Sequence, residues 1–166
     1  EKTHAFMERQ YSCLHRSILP ALEREGIRFL TFDEMDEAQK SHVNDYFHHV
    51  LFPVLTPLAV DGSRPFPMLA NKSLNIAVCL ESKESKEKEK NFAVVQVPSI
   101  LPRFLELPCQ ERRAFTLLEE IIIAHLDELF ELHIIDAACP FRVTRDSDLE
   151  IDEEAEDFMS VVKKSI

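Results

Sequence analysis

The residues best suited to chemistry stand in FRVTRD. There, strand-like alternation puts Phe141, Val143 and Arg145 on one face and Arg142 and Thr144 on the other. A guanidinium fork matches a phosphate in two parallel hydrogen bonds, so Arg142 and Arg145 are candidates for a phosphate contact at the end of a sheet. An arginine that closes a buried face must otherwise be paired, and Asp146 or Asp148 could do this locally. Just beyond, Asp146, Asp148, Glu150 and Asp152 alternate with Ser147, Leu149 and Ile151. In an extended segment those four carboxylates share a side, as a magnesium or calcium site requires. The calcium-loop pattern, however, wants glycine where Ile151 stands and glutamate where Asp157 stands. A solvated acidic edge leading into a helix cap fits the same residues.

His42, His48 and His49 cluster in sequence, yet there is no H-E-x-x-H and no cysteine at metal spacing. One of His48 and His49 is expected to pack and the other to face water. His125 falls on the apolar face of a helical pattern. It reads as a hydrogen-bonded core histidine rather than a general base, because no Ser or Cys nucleophile with an orienting acid can be assigned to it. Gly26 and Gly62 are the chain's two glycines, so neither G-x-x-x-x-G-K-[ST] nor G-x-G-x-x-G can be written. A bound nucleotide would have to be held by side chains and helix ends.

The formal net charge of −11 repels nucleic acid, phosphate polymers and anionic lipid, and eight carboxylates without a base lie within residues 146–157. Cys13, Cys79, Cys109 and Cys139 form no C-x-x-C pair and are expected to be reduced and mostly buried. The NKS at Asn71 matches a glycosylation acceptor only incidentally in a chain expected to be cytosolic. That expectation rests on the lack of a long apolar run and of a basic, apolar leader at residues 1–4.

These side chains need elements to hold them. Met7, Tyr11, Leu14, Ile18 and Leu22 predict an amphipathic helix over residues 2–25, bent near Pro20, stopped by Gly26, and lacking partners of its own. GIRFL reads as a connector. Thr31 and Glu34 form a capping-box pattern ahead of a second helix that Pro53 ends, and Pro57, Pro65 and Pro67 keep the next stretch extended around a turn at Asp61 and Gly62. Leu74, Ile76, Val78 and Leu80 predict a strand. A charged tip, ESKESKEKEK, leads from it to a second strand over residues 92–97, and PRFLEL offers an edge strand. Residues 117–130 predict a buried helix and CPFRVTR a strand. A last helix carries Ala155, Phe158, Met159, Val162 and Ile166 on one stripe with Asp152 as N-cap. The predicted class is α+β: a mixed β-sheet packed by helices in α/β/α layers, preceded by a long N-terminal helix.

The segments YFHHVLFPVLTPLAVDGSRPFPMLANKSLNIAV, VVQVPSILPRFLELP, LLEEIIIAHLDELF and FRVTRDSDLEIDEEAEDF, in this order, resemble the long-chain polyphosphate kinase family. The opening ERQYSCLHRSILPALEREGIRFL is similar to the end of that family's N-terminal helical domain. The resemblance implies two units: residues 1–31 closing the helical domain and residues 32–166 forming the middle, or head, domain. It also implies an enzyme that moves the terminal phosphoryl group of ATP reversibly onto inorganic polyphosphate through a phosphohistidine, using magnesium. This chain would be its scaffold and dimerisation domain. The family's phosphorylated histidine and magnesium site belong to C-terminal domains, so the resemblance implies no catalytic residue and no bound cofactor in this piece, which is expected to be inactive alone.

Its expected partners are the remaining domains of the enzyme, a second copy, ATP and polyphosphate, with no nucleic acid. The implied location is the cytoplasm, with the whole enzyme peripheral to the inner membrane. Arg64 stands where many members have histidine before PFP and joins Arg142 and Arg145 as a candidate phosphate contact. Two other classes fit the residues less well: an independent acidic protein-interaction module and a carboxylate metal hydrolase built on residues 146–152.

Overall fold

The computed structural model describes residues 2–60, 67–83, 90–110 and 112–144. The N-terminal apolar spacing yields helix α1 (Lys2–Cys13), one wide π turn (Leu14–Ile18) and helix α2 (Leu19–Arg24). The widening has a cause in Pro20, which has no N–H to offer and whose ring crowds the carbonyl four residues back. The ladder relaxes, and the Leu19 N–H reaches back to the Leu14 carbonyl. The same device recurs after α3 (Glu37–Tyr46), where the π turn Phe47–Leu51 precedes Pro53. Gly26, at φ +79°, ends α2 in the left-handed region, its N–H bonded to the Glu23 carbonyl at 3.0 Å.

The capping signal at Thr31 is real but caps a shorter element. The Glu34 carboxylate accepts the Thr31 N–H and hydroxyl, both at 2.9 Å, and closes a single 3-10 turn, Phe32–Glu34. A second, reciprocal box starts α3. There Asp36 accepts the Gln39 N–H at 2.9 Å, and the Gln39 side chain accepts the Asp36 N–H at 3.1 Å.

Among the described residues the strands are β1 (Ile27–Phe29), β2 (Pro57–Val60), β3 (Leu74–Ser82), β4 (Lys90–Gln96), β5 (Phe104–Leu107), β6 (Arg113–Leu117) and β7 (His133–Arg142). They form two sheets. A mixed three-stranded sheet has the order β1-β6-β5, with β1 parallel and β5 antiparallel to β6, and an antiparallel four-stranded sheet has the order β2-β4-β3-β7. The α+β class with helices on mixed sheets therefore holds, the strands being shared between two sheets.

Three segments differ from expectation. GIRFL is not a connector but carries β1, and the 113–117 stretch ahead of the buried helix is a strand. Strand β7 begins at His133, well before CPFRVTR. The buried helix itself is two pieces, α4 (Leu118–Ala124) and α5 (Leu126–Leu129), broken at His125.

The core lies where α3 and its π turn meet α4, α5 and both sheets. Val43, Phe47, Leu51, Ile76, Val78, Val95, Leu118, Ile121 and Ile122 are fully buried there. Each large side chain so placed contributes about 1.5–3 kcal/mol. By contrast α1 has no buried residue, and Phe6, Met7 and Tyr11 on it, with Leu14 and Ile18 on the π turn after it, stand exposed.

Candidate functional site

β7 runs out of the four-stranded sheet at Arg142, which lies opposite Leu74 at the start of β3. Burial alternates there as the sequence predicts, with Phe141 and Val143 half-buried and Arg142 and Thr144 exposed. The chain entering β3 passes through a tight turn. The Ser73 N–H and hydroxyl both donate to the Ala70 carbonyl, at 3.1 and 2.7 Å. Lys72 sits in this turn at φ +63°, the one non-glycine residue with positive φ among the described residues. Its N–H donates to the Val143 carbonyl at 2.7 Å, which fixes Lys72 beside the backbone of Arg142.

Two exposed cations thus sit on adjoining backbone at one sheet end, and neither is ion-paired among the described residues. Such a pair can accept a dianionic oxygen cluster. Next along β3 is Asn75, fully buried and opposite Phe141 in the register. Its amide donates to the Ser73 carbonyl at 3.0 Å and hydroxyl at 2.9 Å, while its Oδ1 has no partner among the described residues. Arg145 and Arg64 lie outside the described residues, as do the carboxylates at 146–152, the charged tip at 84–89, the turn at Asp61 and Gly62, and the final helical pattern. Lys72 was not singled out for this site by sequence reasoning. Its one sequence cue was its place just ahead of the predicted strand at Leu74.

His125, His48 and His49 make structural contacts. His125 is 5% exposed, its Nδ1–H donating to the Ile121 carbonyl at 2.8 Å and its Nε2 meeting the Asn44 side-chain amide at 2.9 Å, with its ring stacked on Phe47 at 4.1 Å. The expected core histidine is therefore what the fold contains. His48 and His49 are both exposed, against the expectation that one would pack. His48 instead reaches Glu128 at 2.7 Å, bracing the π turn against α5, and this carboxylate raises the His48 pKa. His49 contacts the Asp45 carbonyl at 2.8 Å.

No disulfide joins the cysteines among the described residues, and the expectation of burial fails. Cys13, Cys109 and Cys139 are exposed and Cys79 is half-buried. Cys79 and Cys139 alternate onto the sheet face opposite the core, and Cys13 lies on the helix that buries nothing. Among the described residues no three His, Cys, Asp or Glu side chains converge as metal ligands would.

Charged pairs elsewhere set the frame. Arg103 bonds both carboxylate oxygens of the buried Glu119, and Glu106 pairs with Arg113 across β5 and β6 at 2.8 Å. Glu120, half-buried beside Glu119 and Glu34, has its pKa raised, first by burial and then by those neighbouring charges.

The chain as a whole is similar to known proteins. The chain is 45% identical to a polyphosphate kinase of Halalkalibacterium halodurans over 168 aligned residues, covering 100% of this chain and 24% of that protein. It is 44% identical to the polyphosphate kinase of Exiguobacterium sibiricum, covering 99% of this chain and 23% of that protein. The crystal structure of the polyphosphate kinase from Porphyromonas gingivalis superposes with a TM-score of 0.78 at 32% identity, over 86% of this chain and 22% of that one. The chain thus spans about a quarter of the length of the curated relatives it matches. Residues 38–166 match the family described as the polyphosphate kinase middle domain, and the chain belongs to that family.

Proposed function

We propose that this chain is the middle-domain scaffold of a polyphosphate kinase, an enzyme that passes the terminal phosphoryl group of magnesium-bound ATP reversibly to inorganic polyphosphate through a phosphohistidine outside this piece. The observation that carries the proposal is that the whole chain aligns with about a quarter of each relative. Phosphoryl transfer is dominated by positioning and charge stabilisation, so a rigid domain that fixes distant groups affects rate without touching the reacting atoms. In this role residues 1–31 close a helical domain and residues 32–166 form the head, with β1 stitching the first to the second through its pairing with β6. The exposed stripe on α1 meets the rest of the helical domain, the head joins a second copy, and the whole works in the cytoplasm at the inner membrane. Arg142, with Lys72 beside it and Arg145 and Arg64 nearby in sequence, borders the polyphosphate path. A net charge of −11 keeps this domain from gripping the polymer by itself.

The test compares polyphosphate synthesis from magnesium-ATP by the 166-residue chain and by the full-length enzyme. The chain alone is expected to form no polymer and to give no heat on titration with long-chain polyphosphate. Polymer made by the chain alone would overturn the scaffold role.

A further inference from the structure

The core covers one face of the three-stranded sheet. Ala114 and Thr116 of β6 and Leu107 of β5 are buried on that side. Strand alternation and the register place Ile27, Phe29, Phe104, Phe115 and Leu117 on the other. There the Phe29 ring meets Phe104 edge-on at 5.8 Å and lies 6.0 Å from Phe115, with Phe29 37% and Phe104 53% exposed. The charges around this cluster already have partners. Arg113 lies over the Phe115 ring and pairs with Glu106 at 2.8 Å, Arg28 pairs with Glu23 at 3.3 Å, and Glu34 accepts both donors of Thr31. The patch continues onto the N-terminal helical segment. His15 and Leu19 line a cleft of about 290 Å³ with Ile27 and Phe29, and the His15 ring stacks on Tyr11 of α1 at 6.4 Å. Beyond Tyr11 the exposed stripe runs on through Met7 and Phe6. An apolar surface of this extent marks a contact with another protein surface, and charges that are already paired leave a polar ligand little to hold.

We propose that the phenylalanine face seats the helical domain that residues 1–31 close, so that one partner covers the α1 stripe and the three-stranded sheet together. This seating rests on the reading of residues 1–31 proposed above. Three observations favour that occupant. The chain spans about a quarter of its relatives' length, so most of the enzyme is available to cover the face. The stripe on α1 is one side of a helix that buries nothing here, and other helices cover such a side by fitting ridges into grooves. Finally, β1 fixes the stripe beside the face. The Arg113 N–H bonds the Gly26 carbonyl at 2.9 Å and the Leu30 N–H bonds the Phe115 carbonyl at 2.8 Å, so α2 enters the sheet through a ladder held at both ends. A helix is about 10–12 Å across with its side chains, so one laid on Tyr11 and His15 also borders the cleft that Phe29 lines. The helical domain and the head then move as one body, and the chain near residue 31 is no hinge.

The test is photo-cross-linking in the full-length enzyme, with Phe104→p-benzoylphenylalanine in one variant and Tyr11→p-benzoylphenylalanine in another. Both side chains are more than half exposed in this chain, so the bulkier ring is accommodated at either position. Mass spectrometry then identifies the captured peptides. Position 11 reports on the reading of residues 1–31, and position 104 on the seating. Both probes are expected to capture peptides of the helical domain within a single molecule. If position 104 captures nothing, or another domain, the seating is overturned. A product of doubled mass from position 104 would assign the face to a second copy and overturn it equally. In each of those cases, capture of the helical domain at position 11 leaves the reading of residues 1–31 standing, whereas no capture there removes that reading as well.

Discussion

Glu119 is 3% exposed and Arg103 covers it, the guanidinium contacting both carboxylate oxygens while the arginine side chain as a whole is about half exposed. The two ends of this pair are unequal. Losing Arg103 strands a buried charge, whereas losing the charge on Glu119 leaves an arginine that water can still solvate. Arg103→Ala is expected to cost about 2–3 kcal/mol, and Glu119→Gln at least about 1 kcal/mol less, because half-exposure of the arginine weakens the pair. Urea unfolding of the two variants measures the difference, and equal losses would contradict the asymmetry.

His48 and Glu128 tie the π turn to α5, and Glu128 raises the His48 pKa. A raised folded-state pKa gives stability that is fully present below the unfolded value near 6.5 and is lost as pH climbs through the higher folded value. The melting temperature should therefore fall more between pH 6 and pH 8 in the parent chain than in Glu128→Gln. Identical pH slopes would rule out the pair as the cause.

Thr116 is buried in β6, and its hydroxyl has no hydrogen-bond partner among the described residues. A buried hydroxyl left unsatisfied costs about 1–3 kcal/mol, and valine has the same shape without it. Thr116→Val is expected to raise stability by about 1 kcal/mol in chemical denaturation, an outcome opposite to most core substitutions. Destabilisation would show that the hydroxyl has a partner in solution.

At the sheet end, Lys72→Ala and Arg142→Ala in the full-length enzyme are expected to raise the KM for polyphosphate and leave the melting temperature unchanged. Both side chains are exposed and unpaired among the described residues. An unchanged KM with either substitution would remove that residue from the polymer's path.

What the sequence made legible depended on how local the controlling physics is. β3 was readable because Leu74, Ile76, Val78 and Leu80 alternate within one strand, and α3 because Pro53 limits it, although the capping pair read from the sequence, Thr31 and Glu34, closes the 3-10 turn ahead of it. β1 was not, since three residues carry no periodicity and Ile27, Arg28 and Phe29 are held by Arg113, Ala114 and Phe115, far along the chain. β6 hid for a related reason, as its Leu117 merges in sequence with the helical apolar run that begins at Leu118. The break at His125 escaped notice because its apolar neighbours continue the helical spacing straight through it. Of the site, Arg142 could be named from alternation alone, while Lys72 needed the left-handed turn and its bond to Val143 to become visible.

The parallel pairing of β1 with β6 has one more consequence, for handling the protein. The Leu30 N–H bonds the Phe115 carbonyl at 2.8 Å and the Arg113 N–H bonds the Gly26 carbonyl at 2.9 Å, so the ladder is closed on both sides of β1. Trimming the chain at the apparent domain border near residue 31 would strip that strand and leave β6 as a bare edge with unpaired amides beside Phe115. Such an edge is a template for strand addition by another molecule, and a head domain cut there would be prone to aggregate.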